Sequence, residues 1–255
     1  MTSDSVLLSI VLPAYNEVAS IEQALEQCAR VAEQMPGPVE AIVVDDGSQD
    51  GTDVLVKQLM ESRPWLRSVR HEQNQGYGRA LRNGFAAARG EFVFYTDADN
   101  QFDITELLEH WPLLADADML VGYRVYRYDP LPRLVASWIY NRIVRVLFRV
   151  KVRDVDCSFK LMRRNRLDSI VLSSDDFFID TELVARGRKW NWRIKEVGVR
   201  HYPRRAGKTT VRPSDVPRTL FVIAKMWFHI HFPNRARHAT TLTQQIDERR
   251  ELRGD

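Results

Sequence analysis

Four short apolar runs, spaced out by stretches with helical periodicity, constrain this chain more than any other feature. Ser9-Ile10-Val11-Leu12, Ala41-Ile42-Val43-Val44, Phe92-Val93-Phe94-Tyr95 and Met119 to Gly122 read as buried strands, and Leu66 to His71 as a further one. Between them, Val18 to Met35 places Ile21, Ala24, Leu25, Cys28 and Ala32 on one helical face. Gly51 to Ser62, Gly78 to Arg89 and Ile104 to Leu114 complete the alternation. Strand and helix alternating through short connections predict an α/β chain, with a Rossmann-like, mostly parallel sheet flanked by helices. Ligands bind such sheets at the carboxyl ends of the strands.

Two of those strand ends are acidic. Asp97-Ala98-Asp99-Asn100-Gln101 follows Tyr95, and Asp45-Asp46-Gly47-Ser48 follows Val44. Two carboxylates one residue apart can hold a hard divalent ion against a diphosphate. A lone Asp-x-Asp says little, since acidic loops are common on protein surfaces, but two acidic ends on one sheet suggest a site for a nucleoside diphosphate.

With 255 residues and 44% hydrophobic composition, the chain can bury one substantial core. A net charge of +3 without a Lys/Arg-rich tail argues against nucleic acid as a partner. Cys28 and Cys157 are too few for a disulfide framework. Met1 to Ser5 lacks a basic region followed by an apolar stretch, so no signal peptide is expected. The second half is more cationic. Eight basic residues against one acid lie between Arg124 and Arg153, and Pro130 to Val150 reads as a long helix. Its Leu134, Trp138, Ile139, Ile143, Val146 and Leu147 beside Arg133, Arg142, Arg145 and Arg149 suit either a solvated face or anionic lipid. Phe177 to Lys189 reads as a helix, Arg193 to His201 as a strand, and Arg204 to Lys208 as a basic loop. The apolar stretch Thr219 to Phe232 is shorter than the roughly 20 residues a membrane span needs. It suits an interfacial helix or an ordinary packed one equally.

Val11-Leu12-Pro13-Ala14-Tyr15-Asn16-Glu17, Val44-Asp45-Asp46-Gly47-Ser48, Asn74-Gln75-Gly76-Tyr77-Gly78-Arg79-Ala80 and Asp97-Ala98-Asp99-Asn100-Gln101 occur in an order that resembles family 2 glycosyltransferases. The dolichyl- or polyprenyl-phosphate mannose synthase branch is the most similar. Arg153-Asp154-Val155-Asp156-Cys157-Ser158-Phe159-Lys160-Leu161 resembles that branch's Asp-x-x-Ser-Gly-Phe-Arg segment. Residues 213–233 are expected as an amphipathic or interfacial, membrane-associating helix and 234–255 as a polar tail; for residues 1–212 the resemblance implies a GT-A fold. It also implies that Pro13, Tyr15 and Glu17, with Asp45 or Asp46, hold the base and ribose of a nucleotide sugar. Gly76, Gly78, Arg79 and Ala98 would lie along the donor, together with Arg205 and Lys208 of the basic loop. Asp97, Asp99 and Gln101 would bind Mg²⁺ or Mn²⁺, which help the nucleoside diphosphate to leave. The sequence departs from the branch at Arg79, at Phe102-Asp103 and at Cys157-Ser158-Phe159-Lys160.

The acceptor follows from charge. A lipid phosphate is already ionised and attacks without a general base, so its site needs cations. Arg124, Arg133, Arg204, Arg205 and Lys208 meet that demand, with Ser137 one helical turn beyond Arg133. A hydroxyl acceptor would need a base, for which Asp156, Asp180 or Glu182 are candidates. The expectation is transfer of a hexose, with GDP-mannose preferred over UDP-glucose as donor, to a polyprenyl phosphate. The enzyme is expected in the cytoplasm, peripheral at the inner face of the membrane. Asp99, Arg124, Arg133, Ser137 and Asp156 are the expected catalytic set. Alternatives are transfer to a glycan or glycolipid hydroxyl, and a non-catalytic nucleotide-binding scaffold.

Overall fold

The structure, a computed structural model, describes residues 5–126, 131–203, 216–232 and 252–253. Seven strands form one sheet: β1 (Leu8–Ala14), β2 (Val39–Asp45), β3 (Leu66–Arg70), β4 (Phe92–Tyr95), β5 (Met119–Arg124), β6 (Lys160–Arg163) and β7 (Ile194–Val199). Their spatial order is β3-β2-β1-β4-β6-β5-β7. The helices are α1 (Ile21–Gln34), α2 (Thr52–Ser62), α3 (Tyr77–Ala87), α4 (Glu106–His110), α5 (Leu131–Phe148), α6 (Arg164–Asp168), α7 (Ile179–Lys189) and α8 (Val216–His231).

Strand alternation sends side chains to two cores. Leu8, Ile10 and Leu12 of β1 meet Leu25 and Cys28 of α1 and Val56 of α2 on one face. On the other, Val11 meets a layer built from Leu81 and Phe85 of α3, Val144 and Phe148 of α5, and Leu183 of α7. The expected alternation is therefore realised as a three-layer α/β/α arrangement. β1 pairs in parallel with both β2 and β4. Its pairing with β4 ends at Val11↔Tyr95, so the N–H that Pro13 lacks is not needed on that side.

The sequence does not predict β6. Lys160-Leu161-Met162-Arg163 is short and has no clear apolar alternation, yet it runs antiparallel between β4 and β5, with Tyr95↔Lys160 and Val121↔Lys160 in register. Its reversed direction sets the beginning of β6 beside the ends of β4 and β5. The segment leading into it thus reaches the edge where Asp97 lies. Helix 104–114 also differs from expectation. It splits into α4 and a 3₁₀ turn, Trp111–Asp116, with Pro112 in the first positions of the turn, where its ring cannot continue an α-helix.

No helix among the described residues is long and apolar enough to cross a membrane. Helix α8 packs on the domain through Ile223, Met226 and Ile230, and Trp227 Nε1 donates to Leu147 O of α5 at 3.1 Å. The same helix leaves Leu220, Phe221 and Phe228 exposed. Leu252 and Arg253 lie near α3, where the Arg253 guanidinium donates to Ala86 O at 3.1 Å and to Asp168 at 3.2 Å.

The contact between α3 and the sheet leaves no room at Gly84. A Cβ there would fall 2.3 Å from Val11 Cγ1 and 3.0 Å from Val44 Cγ2, both on fully buried strand residues. Gly84→Ala should therefore destabilise the protein by about 1–3 kcal/mol, despite the better helix propensity of alanine. Thermal unfolding should show a fall of several degrees in Tm.

Candidate active site

At the carboxyl ends of β1, β2 and β4 lies a cleft. Pro13, Ala14, Tyr15 and Glu17 form one wall; Asp46, Asn74, Gly76, Tyr77 and Ala80 form the second; Asp97, Ala98 and Asp99 complete it. The structure thus gathers residues from all four of the sequence motifs into one space. Two left-handed asparagines shape the rim. Asn16 (φ 58°) accepts Gln49 N–H at 2.9 Å, and Asn100 (φ 58°) donates to Ser20 O at 2.8 Å while accepting from Gln27.

The two members of the first acidic pair have different work. Asp46 lines the cleft, but its oxygens are spent on the loop before α3: Oδ1 accepts Gln75 N–H at 2.8 Å and contacts His71 Nδ1 at 2.6 Å, and Oδ2 accepts Gly76 N–H at 2.9 Å. Asp45 lies behind the cleft, where Oδ1 accepts Ser48 N–H at 3.0 Å and Oδ2 stands 3.5 Å from Arg70. Gly76 adopts φ +99°, and a Cβ there would strike Asp175 O at 2.4 Å, so glycine is required for the loop to pass. Gly78 donates its N–H to the same Asp175 carbonyl at 2.9 Å.

Asp97 and Asp99 behave as an interacting pair. The Asp97 carboxyl is pushed up to about 7, first by burial and then by the charge on Asp99, with the Ser158 hydrogen bond acting in the opposite direction. Ser158 Oγ donates to Asp97 Oδ2 at 2.7 Å, and the Tyr77 hydroxyl also hydrogen-bonds this carboxyl. Gln101 touches this pair through its backbone N–H, which donates to Asp99 Oδ1 at 3.1 Å. It does not line the cleft, and its side-chain amide donates to Tyr202 O at 3.2 Å, which ties the acidic loop to the chain just after β7. Among the described residues no group of three or more His, Cys, Asp or Glu side chains is gathered for a metal.

The expected cations are placed differently from one another. Arg124, at the end of β5, makes a two-pronged ion pair with Asp154 (2.6 and 2.7 Å), so its charge is already matched. Arg133 is exposed on α5, and Ser137 accepts from Asn141 Nδ2 one turn later. Arg79 is half-buried and does not line the cleft. Arg205 and Lys208 lie outside the described residues.

The three candidate bases are also placed. Asp156 is pushed up to about 7, by burial first and then by Asp180, but does not line the cleft with Asp97 and Asp99. Asp180 is buried in an ion pair with Lys160 and accepts the Tyr95 hydroxyl. Glu182 is buried and saturated by Ser173 N–H, Ser173 Oγ, Ser174 N–H and Arg186, all at 2.7–2.9 Å. Neither of the last two has an oxygen positioned for base catalysis in the cleft; Glu182 instead fixes the loop that carries Asp175. The sequence offered no signal for the Asp154–Arg124, Ser158–Asp97 or Lys160–Asp180 pairings, since each joins residues 20 to 61 positions apart.

With this geometry in place the comparisons are informative. Solved structures share the fold: glucosyl-3-phosphoglycerate synthase from Mycobacterium tuberculosis, in complex with Mn²⁺, uridine diphosphate and phosphoglyceric acid, matches with a TM-score of 0.68 at 22% identity, over 90% of this chain and 80% of that one. The architecture is that of GT-A glycosyltransferases. The Glycosyl transferase family 2 model matches residues 9–171, and the chain belongs to that family. Among its relatives, dodecaprenyl-phosphate galacturonate synthase of Rhizobium johnstonii is 30% identical over 92% of this chain and 70% of its own length. Dolichyl-phosphate beta-glucosyltransferase of Dictyostelium discoideum is 27% identical over 77% and 66%. Glycosyltransferase AglD of Haloferax volcanii is 31% identical over 80% of this chain, which spans 34% of AglD.

Glu182 yields a stability test. Burial would raise its carboxyl, but Arg186 and the two backbone N–H groups prevail and hold it below the ordinary 4.5. Its contribution is therefore complete above about pH 4.5 and lost as pH falls through the lower folded value. Glu182→Gln should lower stability at pH 7 by about 3 kcal/mol, because Arg186 loses its buried partner. In urea unfolding the variant should also lose part of the wild-type decline in stability between pH 5 and more acidic solution.

Proposed function

We propose that the chain is a metal-dependent, inverting glycosyltransferase that moves a hexose from a nucleotide sugar to a polyprenyl phosphate. The observation that carries this reading is the cleft itself, where Asp97 and Asp99 meet Tyr15, Glu17 and the Gly76 turn. A divalent ion fits there. Both ligands are hard carboxylates lining the same cleft, and the charge of Asp99 beside buried Asp97 is what a cation would relieve. When bound, Mg²⁺ or Mn²⁺ would offset the charge that builds on the departing diphosphate. Gln101, turned toward Tyr202, is left out of this set.

The remaining steps belong to the chain's own groups. Tyr15, Glu17 and the backbone of Gly76 bound the space for the nucleoside. A phosphate oxygen of the acceptor forms a bond to the anomeric carbon as the bond to the nucleoside diphosphate breaks; no proton has to be removed. Arg133 and Ser137 on α5 are the acceptor-side candidates, while Arg124 contributes as a member of a neutral pair with Asp154. The names of the relatives support a lipid-phosphate acceptor. They speak of galacturonate and glucose, which favours a sugar other than the mannose expected from the sequence.

The test is transfer to a short polyprenyl phosphate with Mn²⁺ across a panel of UDP-hexoses and GDP-mannose. Activity should vanish in EDTA, and Asp97→Asn or Asp99→Asn should each reduce it by at least about 100-fold without unfolding the protein. Full turnover in EDTA would refute the metal.

A peripheral position at a membrane is the second element of the proposal. Leu131, Trp138 and Val146 of α5 and Phe221 and Phe228 of α8 are exposed apolar residues, and Arg133 and Arg142 stand among them. Co-sedimentation with anionic vesicles should weaken as salt rises and leave a salt-resistant remainder. Replacing Phe221 and Phe228 with Ser should remove that remainder while Tm stays nearly constant, since neither ring is buried. No binding at any salt concentration would point to a soluble acceptor.

A further inference from the structure

Asp97 owes its orientation to a residue that does not line the cleft. Ser158 lies almost fully buried in the segment entering β6, 61 positions away in sequence, and its hydroxyl donates to Asp97 Oδ2 at 2.7 Å. In the motif that this segment resembles, the position of Ser158 is a glycine, which has no donor to offer. We propose that Ser158 is a positioning residue that presets Asp97 for a divalent cation, an inference that rests on reading Asp97 and Asp99 as the metal pair.

Two features of the site make this hydroxyl matter. The first is scarcity of ligands. With no third His, Cys, Asp or Glu gathered beside the pair among the described residues, the orientation of each carboxylate has a large share in the affinity. A ligand carboxylate held by a hydrogen bond does not have to be ordered when the ion arrives. A second hydrogen bond, from the Tyr77 hydroxyl in the cleft wall, reaches the same carboxyl, so Ser158 holds it from the side away from the cleft lining.

The second feature is the rigidity of the mount. Phe159 O accepts Gly122 N–H at 2.7 Å, Cys157 O accepts the Lys160 ammonium at 2.6 Å, and Asp154 is clamped to Arg124. Val155 N–H is bound by Asn141 Oδ1 of α5 at 2.8 Å. The hydroxyl therefore projects from a backbone pinned to β5, β6 and α5. A glycine at position 158 has no hydroxyl and would lose the contact with Asp97.

The experiment is a Mn²⁺ titration of the full chain followed by electron paramagnetic resonance, with Mn²⁺ alone and with UDP or GDP present. Ser158→Gly and Ser158→Ala should bind Mn²⁺ about 10–100-fold more weakly than the wild type. Their affinity for the nucleoside diphosphate in EDTA should stay within about 3-fold, a split that general loosening of the structure would not produce. A melting curve for each variant confirms that it is folded at the temperature of the titration, and Ser158→Ala replaces Ser158→Gly should the glycine unfold the segment. Equal Mn²⁺ affinity in wild type and Ser158→Ala overturns the role of Ser158 and leaves the metal pair standing. Absence of Mn²⁺ binding by the wild type in every arm overturns the metal pair, and the role of Ser158 with it.

Discussion

An ammonium group sealed from water organises the middle of this molecule. Lys160 is fully buried, and its Nζ is shared between Cys157 O and Asp180, with the Tyr95 ring 5.3 Å away. Tyr95 donates to the same Asp180 carboxylate. One charge pair thus fastens β4, β6 and α7 together. Burying two charges is not in itself a favourable step, but taking either partner away would strand the other, at about 3–5 kcal/mol. The arrangement has one way to be satisfied, and that way sets the residues before Lys160 against the end of β4. Asp154, Ser158 and Asp97 take their places as a consequence.

The legible parts of the sequence were those whose signal is local. Apolar runs such as Ala41 to Val44 declared strands by themselves, and α1 and α3 declared themselves by spacing. Asp46, Asp97 and Asp99 share one cleft because parallel topology dictates where such strand ends meet. Partnerships were not legible. Arg124 looked like an available cation, and nothing nearby in sequence reveals that Asp154 matches it at 2.6 Å. Gln101 is a metal ligand only by the family resemblance, and nothing nearby in sequence reveals that its side-chain amide donates to Tyr202 O beside the isolated bridge between Phe102 and His201. Strand β6 escaped notice for a related reason: four residues with charged ends carry no periodicity, and their burial depends on a counter-charge supplied by α7.

The division of labour between Asp45 and Asp46 shows how a motif can be present without each letter touching a ligand. Asp46 spends its oxygens on Gln75, Gly76 and His71 and so builds the wall of the cleft. Asp45 braces the turn at Ser48 from behind. The shape of that wall is thus set by the hold Asp46 has on the 74–77 loop, with Tyr15 opposite it. The contrast with Asp97 is that its partners are side-chain hydroxyls, Ser158 and Tyr77, and not the backbone of a loop.

Strand β4 has one neighbour, β1, that precedes it in the chain and another, β6, whose pairing begins 65 positions after Tyr95. During synthesis on the ribosome, β1 to β4 can assemble while β6 is still unmade, which leaves Phe92-Val93-Phe94-Tyr95 as an apolar edge with unpaired backbone groups. Such an edge is a template for wrong partners until the right strand arrives. Closing the sheet over that separation is a slow, long-range event. Cellular yield of this protein should therefore depend on how quickly the later half of the chain is delivered, and on any chaperone that covers the exposed edge in the interval.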